Sequence, residues 1–456
     1  MEDNQKIQLF EKMPIPKAVA KLSIPMVFSS LVMVLYNMAD TYFVGMLNDP
    51  VQNAAVALAA PVLLAFNAVN NLFGVGTSSM MSRAMGRKDY ETVSESSAFG
   101  FYCALASGIL FGILCTVFQS PLLSLIGADE TTQAATKGYM FWTVSLGAAP
   151  AIVNVVMAYL VRSEGASLHA SIGTMSGCIL NMILDPIFIL PGGGDMGAAG
   201  AGCATFLSNG VACLYFFVLL YIKRGKTFVC VNPKKFHFKK SIAFEVCSVG
   251  IPASIQNLLN VTGMTLLNNF TSAYGADAVA AMGISYKIYM VPMQITLGFS
   301  QGVMPLISYT FSSGNRRRMK ESILFALKVM LPILVAATVL YNVGASGIVQ
   351  AFMDHETIVA YGAGFLKGFS LGFVFLCVDF LVVGVFQALG LGQYALIFAI
   401  MRKIVLEIPL LFLLNHFFPL YGLAYAQAGA ELVLSICAVV MLRHIFKKYQ
   451  DQPSPV

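Results

Sequence analysis

Long apolar runs separated by short polar or Gly/Pro-containing breaks recur along the whole chain. A helix rising 1.5 Å per residue needs about 20 apolar residues to cross the ~30 Å hydrocarbon core of a bilayer. Twelve runs meet that length: 19–44, 54–78, 97–118, 139–161, 170–190 and 198–222, then 244–272, 278–306, 323–343, 364–389, 394–415 and 420–442. Residues 223–242 form the one long polar connection, rich in lysine and without an apolar run of its own. They read as a linker between residues 1–222 and 243–456, each half carrying six helices.

Charge orients the runs. Twenty-two Lys and Arg fall on one side, in the N-terminal segment (Lys6 to Lys21), the breaks around Arg83–Lys88, Arg162, Lys223–Lys240 and Arg316–Lys320, and the C-terminal segment from Arg443. The opposite breaks hold a single base, Lys137, among acids that include Asp49, Asp129, Asp195, Asp277 and Asp354. Short cytoplasmic loops collect Lys and Arg, so both termini and the basic linker are expected in the cytoplasm and the protein in the cell membrane. The net charge of +6 thus has a topological cause and gives no reason to expect nucleic acid as a partner. Membrane lipids are the expected surroundings, with a monomer as the expected assembly.

Composition agrees. The chain is 57% hydrophobic and 11% charged, against roughly 45–50% and 25% in soluble domains. Its mean hydropathy of +0.75 leaves more apolar surface than one core can hide. The first 21 residues are polar and lack a cleavage site after a short apolar core, so targeting is expected to rest on the first span.

The halves repeat. Leu22-Ser-Ile-Pro25 at the first helix is echoed by Val249-Gly-Ile-Pro252 at the seventh. Gly74-Val-Gly76 on the second is echoed by Gly302-Val-Met304 on the eighth, each followed by a Gly and basic residues. Asn181-x-x-x-Asp185-Pro186 is echoed by Lys403-x-x-x-Glu407-Ile-Pro409. Six helices per half is an even number, so the repeats share one orientation about an axis along the membrane normal. The expected fold is an all-α polytopic membrane protein, twelve transmembrane helices in two pseudo-symmetric six-helix bundles.

Candidate chemistry lies where polar groups interrupt these runs. Asn181 and Asp185 stand four residues apart and share one helix face. A carboxylate at membrane depth costs several kcal/mol unless it faces protein or water. Two readings fit it: a functional site, or a buried polar pair that only ties helices together. Asp40 lies eight residues before Asn48, Asp185 seven before Gly192, and Thr205 eight after Gly197. All three therefore sit about 10–12 Å below the outer surface, on helices one, five and six. Carboxylates, an amide and a hydroxyl are oxygen donors suited to a hard cation such as Na⁺, and the same carboxylates could hold H⁺ instead. No other metal or cofactor is expected: nine cysteines and five histidines are scattered without ligand spacing.

In the second half, matching Gly165 to Gly390 pairs Asn154 with Asp379, another acid inside an apolar run. Gln256, Asn257 and Asn260 stud the seventh helix, either as a polar cavity wall or as interhelical hydrogen-bonding groups. Lys403 and Glu407 pair at i,i+4 and read as structural.

Ile24-Pro25, Tyr36-Asn-Met-Ala-Asp40-Thr-Tyr-Phe-Val-Gly45, Asn181-Met-Ile-Leu-Asp185-Pro186, Gly197-Ala-Ala-Gly-Ala-Gly-Cys-Ala-Thr205 and Gly250-Ile-Pro252 together resemble the MATE (multidrug and toxic compound extrusion) transporters. The resemblance covers nearly the whole chain and lies nearest the MepA-type bacterial exporters. It implies a V-shaped pair of helix bundles around a cavity that opens alternately to either side. It also implies antiport: export of bulky, often cationic, lipophilic compounds coupled to inward Na⁺ or H⁺. The family's first-half cation site maps onto Asp40, Asn181, Asp185 and Thr205. Another branch of the family carries an acid on the seventh helix where this chain has Asn260, and a tenth-helix aspartate near Asp379.

Two rivals are weaker. A lipid-linked sugar flippase of similar architecture needs a strongly basic cavity for pyrophosphate, and apart from Lys287 and Lys367 the spans offer little such charge. A membrane-embedded enzyme needs a nucleophile, a base and an orienting group together, and no His-Glu-x-x-His motif or histidine cluster occurs. The sequence therefore reads as a transporter and not an enzyme.

Overall fold

In the computed structural model, which describes residues 2–450 except 48, 191, 193 and 354, every regular element among the described residues is helical. Asn48 and Asp354, used above as an outer limit and an outer acid, lie outside the described residues. A short helix, α1 (Glu2–Glu11), precedes the first long one, α2 (Ile15–Gly45). The second apolar run folds as α3 (Pro50–Asn70) and α4 (Gly76–Gly86), joined through a π-helical turn at Asn71–Val75. α5 (Tyr90–Val117) is the third and runs into the short α6 (Gln119–Leu125). The fourth is broken: α7 (Gln133–Met140) continues as a π-helix over Phe141–Leu146 and meets α8 (Ala148–Ser163) at a 49° bend. α9 (Ser167–Ile189) and α10 (Ala198–Ile222) complete the first six.

The second six are α11 (Lys240–Ser272), α12 (Ala276–Ser312) and α13 (Arg316–Gln350), then α14 (Glu356–Ser370) with α15 (Phe373–Ala388), bent by 48°. α16 (Gly392–Ile400) and α17 (Ile408–Phe417) are joined by a π-helix at Met401–Glu407, and α18 (Gly422–Gln450) is last. Eight of these rods are long and apolar enough to cross a membrane, ten when each bent pair counts once. The two more polar rods, α12 with Lys287 and α16–α17 with Arg402, Lys403 and Glu407, bring the helical rods to the twelve the sequence predicts.

The helices sort into two compact units. One holds the residues up to Lys12 together with Phe28–Ser254, the other Met13–Val27 with the residues from Ile255 onward. The sequence echoes explain these limits. In the first unit the start of α11 lies on the second rod so closely that a Cβ on Gly250 would strike the Leu72 carbonyl, and one on Gly76 the Val246 carbonyl. Ser254 Oγ donates to the Ala68 carbonyl at 2.5 Å, and Ile242 and Val246 pack with Met80 and Phe99. In the second unit the start of α2 lies on α12: a Cβ on Gly302 would stand 2.6 Å from Ser23 Cα, and Ser23 Oγ donates to the Phe299 carbonyl at 3.3 Å. Each Gly-Val segment thus grips the Ile-Pro helix start from the other half of the sequence.

Residues 223–240 are strapped along α5. Cys230 N–H donates to Ser97 Oγ (3.0 Å), Tyr102 O–H to the Val231 carbonyl (2.8 Å), and Lys239 Nζ to both oxygens of buried Glu95 (2.7 Å). The Glu95 hydrogen bonds hold the Lys239 ammonium above its ordinary pKa. α1 is docked in the same unit: Leu9 and Phe10 are buried, and Lys6 Nζ lies 2.7 Å from Glu164, which also accepts from Phe228 N–H.

Candidate ion-coupling site

The site is assembled where α9 and α10 pack most tightly. Small residues permit the approach: a Cβ on Gly173 would strike the Phe216 ring, and one on Gly177 would lie 3.3 Å from the Ser208 carbonyl. Asn181 and Asp185 share the buried face of α9, at 2% and 0% exposure, and Thr205 faces them from α10. The Asn181 amide is oriented by its neighbours, with Nδ2 donating to Asp185 Oδ2 at 2.8 Å and Oδ1 accepting from the Thr205 hydroxyl at 3.1 Å. Pro186 follows directly. Lacking an N–H, it cannot donate to the Met182 carbonyl in the next turn back.

Asp40 reaches this cluster from α2. It is half-buried and close enough to interact electrostatically with Asp185 and with Tyr139 of α7. Tyr36, one turn before Asp40, lies near enough to Thr205 and Asp40 to interact with both. The four residues singled out in the first half therefore come together in one unit, on three helices. Two tyrosines missed by sequence reasoning join them. Tyr36 had a signal, since i,i+4 spacing puts it on the face of Asp40. Tyr139, 5% exposed, had none, because its helix belongs to a bent rod whose facing side the sequence does not give.

The donor set is two carboxylates, an amide and three hydroxyls. Among the described residues no three His, Cys, Asp or Glu side chains gather as a metal-ion cluster. The set lacks the imidazole and thiolate donors of transition-metal sites and has the all-oxygen character that a hard monovalent cation requires.

The second unit is built differently. Asp379 on α15 is 1% exposed and lies close enough to Glu431 on α18, also 1% exposed, for the two carboxylates to interact electrostatically. Arg402 forms an ion pair with Glu431 and stacks over Phe380, its guanidinium 4.9 Å from the ring centroid. Gln256 and Asp379 line one small cavity of about 10 Å³, which admits a single water centre. Gln387 Nε2 donates weakly to Gln256 Oε1 at 3.4 Å. Asn257 carries a buried Oδ1 without a donor and Asn260 is half-buried beside it on α11. Asn154 lies in the first unit, where its Nδ2 donates to Asn209 Oδ1 at 2.9 Å. Lys403 and Glu407 form the i,i+4 pair, at 2.6 Å and buried within the π-helical turn. Sequence reasoning missed Glu431, although an acid inside the run 420–442 was the available signal.

Spanning helices arranged as two repeated sets, with ionisable groups sealed among them, define a polytopic helical membrane protein. The MatE family model matches residues 25–187 and again 252–413, starting in each half at the repeated Ile-Pro segment, and the chain belongs to that family of multidrug export transporters. It is 33% identical over 443 residues to the multidrug export protein MepA of Staphylococcus aureus, covering 97% of this chain and 96% of that one. It is 32% identical over 444 residues to MepA of Staphylococcus saprophyticus, with the same coverage. A solved outward-facing multidrug resistance MATE family transporter of the MOP superfamily superimposes with a TM-score of 0.92, at 26% identity, over 98% of this chain and 99% of that one.

Proposed function

We propose that the chain is a cation-coupled antiporter of the cell membrane, with both termini cytoplasmic, working as a monomer. It exports bulky, lipophilic, often cationic small molecules by alternating access while Na⁺ or H⁺ enters through Asp40, Asn181, Asp185 and Thr205. The observation that carries this reading is Asp185. It is wholly removed from solvent, it takes a hydrogen bond from Asn181, and a second carboxylate from another helix lies within electrostatic range. An inward cation neutralises that pair, and a protein that binds it in one state and drug in another exchanges the two without chemistry on either.

α2 supports the coupling. Its Asp40 belongs to the first unit, while its residues up to Val27 belong to the second, so a change at the carboxylates acts on a backbone shared by both. Asp379 and Glu431 are the weaker candidates for taking up a cation, because Arg402 already supplies a countercharge. The same neutralisation counts against a sugar-pyrophosphate flippase: the buried bases Arg402 and Lys403 are each paired with a glutamate.

Dye efflux from loaded vesicles tests the proposal, with Na⁺ and pH gradients imposed separately. Efflux driven by one of them identifies the ion. Efflux indifferent to both removes the antiport mechanism.

A further inference from the structure

In the second unit the start of α13 and the end of α18 enclose a cavity of about 290 Å³. Its lining is Arg316, Arg317, Met319, Lys320, Phe446 and Tyr449, three cations and no carboxylate. Beside it, sharing Tyr449 as a wall, runs a second groove of about 210 Å³, lined mainly by apolar groups such as Leu391, Val440 and Ile445 together with His444 and Lys448. We propose that the pair forms one site for an anionic phospholipid, its phosphate among Arg316, Arg317 and Lys320 and its acyl chain along the Leu391–Ile445 groove.

Bases at this end of a span are expected from topology alone, but topology asks only that they be outside the hydrocarbon. Here they converge. The Arg316 guanidinium is held in place: Nη1 donates to the Phe311 carbonyl at 2.5 Å, and the group stacks 4.1 Å from the Phe311 centroid and 5.7 Å from that of Tyr449. Its Nε and Nη2 are buried and have no acceptor. Donors fixed in a planar fork with unused capacity are the group that recognises phosphate oxygens. Lys320 lies 5.7 Å above the Phe446 ring, which leaves its ammonium on the same rim. The cavity also adjoins the first turn of α13, whose N–H groups add positive potential. Glu321, one turn further along α13, is paired with Arg317 Nε at 2.8 Å.

The adjoining, mainly apolar groove decides between a soluble anion and a lipid. A free phosphate uses only the cationic cavity. A phospholipid fills both and joins them past Tyr449. With this face cytoplasmic, as proposed above, the lipid belongs to the inner leaflet; the binding chemistry is independent of that placement.

The test uses the full-length protein in phosphatidylcholine nanodiscs with and without phosphatidylglycerol. The double variant Arg317→Gln with Lys320→Gln is compared, since both side chains are exposed and the Arg316 stacking is kept. Phosphatidylglycerol is expected to raise the unfolding temperature of the parent by a few degrees, and the variant is expected to lose that rise while unfolding like the parent in pure phosphatidylcholine. Equal shifts in parent and variant overturn the proposal by showing a diffuse surface effect. A second arm adds millimolar glycerol phosphate in detergent. A variant-sensitive shift there that equals the lipid effect overturns the lipid assignment in favour of a free phosphate. Because no arm measures transport, failure here leaves the ion-coupling proposal standing, and the reverse also holds.

Discussion

Asp185→Asn separates the charge of the site from its shape. The amide matches the carboxylate in volume, and the Asn181 Nδ2 group, 2.8 Å from an Asp185 oxygen, keeps an acceptor. Replacing a buried charge by a neutral isostere is often close to neutral for folding, so the variant should unfold within about 1 kcal/mol of the parent. Transport responds differently. A tenfold inward gradient of a monovalent cation stores about 1.4 kcal/mol per ion, and two carboxylates set a ceiling of two ions. The parent should then sustain between about tenfold and about a hundredfold dye accumulation. Each 100 mV adds about 2.3 kcal/mol per net charge moved, but a monovalent drug exchanged for one monovalent ion moves none. The assay is dye accumulation in oriented vesicles under an imposed Na⁺ or pH gradient with the potential clamped. Asp185→Asn is expected to show no gradient-driven accumulation. Accumulation at the parent's level would refute the role given to Asp185.

Tyr139→Phe removes a hydroxyl close to both Asp40 and Asp185. Removing that dipole should raise the half-saturating concentration of the coupling ion with folding intact, read from the ion dependence of efflux. Gly250→Ala should lower the unfolding temperature, because the added methyl meets the Leu72 carbonyl and backbone cannot yield; overpacking of this kind costs about 1–3 kcal/mol. Gly283→Ala, with nothing within 4 Å, should be neutral or slightly stabilising in the same scan. Asp129, in the loop before α7, accepts from the N–H and hydroxyl groups of Thr131 and Thr132, which hold its carboxyl down at about 2. A depressed value means its loop-ordering effect is present above the ordinary carboxylate range and is lost as pH falls from about 4 to about 2. Amide exchange at Thr131 and Thr132, corrected for intrinsic rates, should follow that window and should be fast at every pH in Asp129→Ala.

Much of this arrangement was legible in the sequence because a bilayer simplifies the reading. Length and hydropathy give the rods, and a polar residue inside an apolar run stands out. Asn181 and Asp185 were readable from i,i+4 spacing, and Asp40 and Thr205 from depth. The π-helical turns at Asn71–Val75, Phe141–Leu146 and Met401–Glu407 were not readable, since one extra residue per turn leaves no mark in hydropathy. Tyr139 was missed for that reason: a bend and a π-turn decide which way its rod faces. The repeated Ile-Pro and Gly-Val segments were visible as echoes, but that each grips its counterpart from the other half depends on backbone contact at Gly76, Gly250 and Gly302. Arg402 and Glu431, 29 positions apart on different helices, carry no local pattern that pairs them.

The central claim is that a monovalent cation is held between Asp40 and Asp185 in the first unit. Equilibrium binding of radioactive Na⁺ to the purified protein, with proton uptake or release followed in weakly buffered solution, tests it most directly. The account predicts saturable Na⁺ binding or titratable proton uptake in the parent, abolished in Asp40→Asn and in Asp185→Asn and retained in Asp379→Asn. Cation binding that survives both first-unit substitutions, or that disappears only with Asp379→Asn, would contradict it.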